Sequence, residues 1–107
     1  MKKLILVAAV LLSSNAMAEG DAEKGKALFA TCVACHGADA KGQEVLNAPN
    51  LTGLQEWYFV RQISNFKAGI RGSDPKDIYG AQMRPMSMTL ADDQAAKDVH
   101  AYIQTLK

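Results

Sequence analysis

The sequence predicts an all-α domain with long loops. Three observations lead there. Apolar residues recur at helical spacing in three separate segments, no segment alternates apolar and polar residues as a strand does, and Gly and Pro punctuate the stretches between. The chain carries no internal repeat and no low-complexity tract.

The amino terminus reads as a cleaved secretory signal peptide over residues 1–18, leaving a single domain over 19–107. Lys2 and Lys3 form a short positive head, Leu4 to Leu12 is an unbroken apolar run, and Ala16-Met17-Ala18 is a small-x-small cleavage site. The run is too short for a bilayer span, which takes roughly 20 residues, so the remaining chain is expected to be exported to the periplasm and soluble. Cleavage removes two lysines and no acid, moving the formal charge from +1 to −1.

The first helix of the domain is expected to start at a cap on Asp21, with Glu23 in its first turn, and to run to about Thr31. Gly25 inside it costs about 1 kcal/mol relative to Ala. Because Gly25 and Phe29 share a face, a close helix crossing is expected there. Residues 37–52 read as loop. A second helix spans Gln55 to about Lys67, with Phe59, Ile63 and Phe66 on one face and Gly69 to end it. Residues 69–85 read as a long segment broken by Gly72, Pro75, Gly80 and Pro85, with a single helical turn after Asp74. The last helix begins near Ala91 or Asp92 and ends about Leu106, with Ala95, Val99, Tyr102, Ile103 and Leu106 as its stripe.

Composition narrows the function. Twelve Lys plus Arg against eleven Asp plus Glu, with 49% apolar residues, speaks against disorder and against a nucleic-acid partner. Two cysteines exclude a disulfide-framework miniprotein. A domain this small needs a staple of some kind.

Cys32-Val33-Ala34-Cys35-His36 supplies one. C-x-x-C-H is the attachment pattern for one covalent haem c. Two intervening residues let one helical turn present both sulfurs to neighbouring vinyl groups, and the adjacent His36 then gives an axial nitrogen to the iron. A thioredoxin-like dithiol would need a βαβ context. A zinc site would have to recruit His100 without paired finger spacing, and a bare disulfide would leave the chain short of a core. The haem also acts as an apolar plate for the helices, so a chain made without it is expected to be largely unfolded. Every methionine beyond residue 18 falls in Met83, Met86 and Met88, a cluster that points to a thioether as sixth ligand. The residues themselves leave the choice among the three open. His100 reads as a surface or helix-flank histidine.

On these residues the chain resembles the class I c-type cytochromes, and most closely one domain of the two-haem periplasmic cytochromes of the c-four type. Gly25, Phe29 and Tyr102 match the family's crossing of first and last helices, Cys32, Cys35 and His36 its attachment motif, and Pro49 to Gly53 the segment whose proline carbonyl accepts from the axial His. Tyr58, Gln62, Phe66, Gly69 and Arg71 resemble its central helix and following turn. The ligand methionine of that type stands seven residues before the leucine opening the last helix. With Leu90 in that place the resemblance selects Met83, with Met86 as runner-up. Ala91 stands where the family carries a capping serine.

The resemblance implies a small cytochrome c fold, with three main helices and long loops wrapped around one haem. The implied protein is a monomeric periplasmic electron carrier, not an enzyme, that meets redox protein partners and has no membrane span. Two alternatives stand beside it: a haem subunit dedicated to one dehydrogenase or oxidase, and a haem-based gas binder or sensor. Arg71 and Trp57 are candidate donors to a haem propionate.

Overall fold

The structure is a computed structural model and describes Lys3 and residues 19–107. The signal peptide expected over residues 1–18 therefore lies outside the described residues. Five α-helices follow one another: α1 Ala22–Phe29, α2 Val33–His36, α3 Glu56–Lys67, α4 Ile78–Ser87 and α5 Asp93–Gln104. A short 3-10 turn, Glu44–Leu46, sits between α2 and α3, and Gln43 and Ala48 form an isolated antiparallel bridge. Among the described residues there is no strand, and no helix is long and apolar enough to cross a membrane.

The frame is the crossing of α1 and α5, the most extensive helix pair in the fold. Asp21 caps α1, its side chain accepting from the amides of Glu23 and Lys24. Gly25 faces α5 so closely that an added Cβ would stand 1.8 Å from the Asp98 carbonyl oxygen, which explains an otherwise costly mid-helix glycine. One turn on, the rings of Phe29 and Tyr102 pack with centroids 5.5 Å apart. Asp98, almost fully buried, accepts from the Asp21 amide at 2.8 Å and from Gln94 Nε2 at 3.0 Å, which ties the start of α1 to α5. Phe29, Val99, Ile103 and Ala96 fill the core between the two helices, joined by Phe59 and Ile63 of α3.

The helix boundaries differ from expectation in two places. The first helix ends at Phe29 rather than near Thr31, and a turn in which the Cys32 amide donates to the Phe29 carbonyl at 2.8 Å leads into α2. More consequentially, α4 occupies a stretch read as loop apart from one turn after Asp74. Asp77 supplies the reason. Its carboxylate accepts from the amides of Gly80 and Gly72, capping the helix and fixing the loop before it in one contact. Pro85 stands inside α4 only three residues from its end, where the backbone bond it removes is one of few that remain. The last helix is capped by Asp92, whose side chain accepts from the Ala95 amide at 2.8 Å, so Ala91 needs no capping role.

Candidate haem site

A cavity of about 580 Å³ opens between α2, α3, α4 and the 46–54 loop. Its wall is mostly apolar and includes core residues such as Phe29, Phe59 and Val99. Cys32, Cys35 and His36 line it from one helical turn, and Met83 and Met86 line it from α4.

The turn at Cys32–His36 follows from the chain around it. Cys32 caps α2, and the His36 amide donates to the Cys32 carbonyl at 2.9 Å. Both cysteines are free, Cys35 exposed and Cys32 partly covered. Burial pushes the Cys32 thiol above its ordinary pKa, a hydrogen bond with Thr31 draws it part of the way back, and the neighbouring Cys35 raises it.

His36 is buried, and its Nδ1 lies 2.9 Å from the Pro49 carbonyl oxygen. A carbonyl only accepts, so Nδ1 carries the proton. Nε2 therefore keeps its lone pair, the form of imidazole that binds a metal. The wall of the cavity beside these groups is apolar, as a porphyrin face requires. The residues present fit a covalently held haem.

The three methionines separate in space. Met83 is half-buried and Met86 more exposed, and one helical turn brings both to the cavity. Met88 caps the end of α4, is 54% exposed and does not line the cavity. Arg71 does line it. Its guanidinium donates to Gln62 Oε1 at 2.8 Å and lies over the Phe66 ring. Trp57 does not reach the cavity: its Nε1 donates to Gln55 and the Arg61 guanidinium stacks on its ring.

His100 departs from the surface position expected of it. It is buried, packed against Phe59, and its Nε2 donates to the Leu54 carbonyl at 2.7 Å. The cause lies on α3 and the loop before it, which cover that flank of α5 and leave the Leu54 carbonyl in need of a donor. Nor is His100 available to a zinc site with Cys35 and His36, and among the described residues no group of three or more His, Cys, Asp or Glu side chains is placed to hold a metal ion.

Sequence reasoning missed two residues here. Tyr79 and Gln82 line the cavity from α4. The signal was present: Tyr79, Met83, Met86 and Leu90 repeat at helical spacing and all four line the cavity.

An all-helical chain with a haem-sized apolar cavity and C-x-x-C-H on its wall defines a c-type haem protein. The cytochrome c family model matches residues 22–107, and the chain belongs to that family. It is 40% identical over 83 residues to cytochrome c-554(548) of Halomonas halodenitrificans, covering 78% of this chain and 93% of that one. It is 35% identical over 98 residues to cytochrome c4 of Stutzerimonas stutzeri, 90% of this chain and 46% of that protein. A third relative, the thiosulfate dehydrogenase electron acceptor of the same species (strain A1501), is 34% identical over 94 residues, 82% of this chain and 40% of that protein. The chain thus spans less than half the length of the latter two. Membership brings one covalently bound haem c and haem-based electron transfer.

Proposed function

We propose that the chain is a periplasmic carrier of single electrons, exported by a signal peptide over residues 1–18, with its haem held by Cys32, Cys35, His36 and Met83. The haem supplies a one-electron change at iron. The chain's own residues do the rest. Cys32 and Cys35 anchor the group, and His36, oriented by Pro49, supplies one axial nitrogen. Met83 supplies a soft thioether that favours the ferrous state and raises the potential relative to harder ligands.

The observation that carries this reading is the shared wall. Two separate helices bring an imidazole and thioethers to one apolar cavity. An iron with both axial positions filled gains and loses no ligand on changing charge, so reorganisation is small, and it leaves no site for a substrate. Carbon monoxide tests this. The reduced protein at neutral pH is expected to resist it, whereas ready binding would favour the gas-binding alternative.

A carrier dedicated to one dehydrogenase is the second reading, favoured by the likeness to a thiosulfate dehydrogenase electron acceptor. Co-purification of a single dehydrogenase with the tagged protein would support it, and exchange of electrons with several partners would support the free carrier. Such encounters bury little surface and are short-lived. The small net charge predicts a weak dependence of their rates on salt.

A further inference from the structure

We propose that Gln43 is a positioning residue for the axial histidine, setting the His36–Pro49 hydrogen bond and through it the reduction potential. The inference rests on the reading that His36 holds the iron.

A helix of four residues has no internal partner for its last carbonyls, so α2 must find acceptor partners outside itself. The accounting closes. The Val33 carbonyl accepts from the Gly37 amide and the His36 carbonyl from the Gly42 amide, each at 2.8 Å. The two between them, Ala34 and Cys35, both accept from Gln43 Nε2 at 3.0 Å. One side chain thus completes the end of the turn that carries Cys35 and His36.

The backbone of the same residue holds the acceptor for His36. The Gln43 amide donates to the Ala48 carbonyl at 2.9 Å, and the Ala48 amide returns the bond to Gln43 at 3.2 Å. Pro49, whose carbonyl receives His36 Nδ1, is the next residue. The pairing is tight: Gly42 has φ +84.6 rounded to +85°, and a Cβ there would lie 2.5 Å from the Ala48 carbonyl oxygen. Gln43 is therefore the one residue that grips the histidine's helix with its side chain and the histidine's acceptor with its main chain. Loosening it lets the donor and the acceptor drift apart.

The sign follows from ligand chemistry. A good acceptor on Nδ1–H makes the imidazole a stronger donor to the iron and favours the ferric state. Weakening that bond raises the potential.

The test is Gln43→Met in the holoprotein, a change of similar size that removes the amide donor. In the reduced protein the His36 Nδ1–H is expected to exchange with solvent about fivefold faster, the equivalent of one neutral hydrogen bond, and the midpoint potential to shift upward. A folded variant with both readouts unchanged overturns the proposal, and so does one whose melting temperature falls while both stay the same. If Gln43→Met takes up no haem, Gln43→Asn carries the same readouts, since its amide is a methylene too short to span both carbonyls. It is expected to move both in the same direction by less, and no movement overturns the proposal. A wild-type protein whose Nδ1–H signal is not that of a haem-bound imidazole would overturn the His36 assignment itself, an outcome visible before any variant is made.

Discussion

A Cβ added to Gly25 would stand 1.8 Å from the carbonyl oxygen of Asp98. The two helices of the frame meet backbone to backbone at this point, and neither can yield without moving the Asp21–Asp98 bond and the Phe29–Tyr102 pair beside it. Gly25→Ala is therefore expected to cost about 3 kcal/mol or more, the upper range for overpacking, and to lower the melting temperature by at least about 10 °C. A calorimetric scan of the holoprotein checks this.

His100 gives a second prediction, because its burial assigns it a structural duty. His100→Phe keeps the packing against Phe59 but leaves the Leu54 carbonyl without its donor. The expected cost is about 1–3 kcal/mol, read as a lower denaturation midpoint, with the visible spectrum unchanged. A changed spectrum would instead tie His100 to the iron.

These two residues also mark where the sequence was legible. Gly25 could be placed because a glycine within an amphipathic helix, four residues from an aromatic, has few uses other than a close crossing. His100 could not, because its neighbours Phe59 and Leu54 are distant in the chain and only the packing of α3 against α5 brings them together. The same division holds for α4. Gly80 and Pro85 read as breakers, and the bonds that offset them come from Asp77, whose reach back to the Gly72 amide depends on the fold of the loop. The attachment turn is local, and its residues declare it. The acceptor at Pro49 was visible only through family resemblance.

The methionines offer a third prediction, in which position on α4 separates three chemically identical side chains. Met83→Ala is expected to abolish the thioether-to-ferric-iron charge-transfer band and to lower the reduction potential. Met88→Ala, away from the cavity, is expected to change neither. Absorption spectra and potentiometry of the purified variants decide it, and loss of the band in Met86→Ala alone would move the ligand one turn along the helix.

Without its haem the chain is expected to lose its fold. The cavity takes part of its wall from the core itself, Phe29, Phe59 and Val99 included, and water in that space forfeits the apolar burial a small domain depends on. Far-UV circular dichroism of the chain made without haem attachment is expected to show little helix. A native-like helical signal would contradict this.

The account stands or falls on the covalent attachment at Cys32 and Cys35. Intact mass of the protein purified from the bacterial envelope, taken with a reduced-minus-oxidised visible spectrum, tests it in one sample. We expect the polypeptide from residue 19 plus one haem, with the sharp bands of a low-spin c-type centre. A colourless product whose mass is that of the polypeptide alone would contradict it.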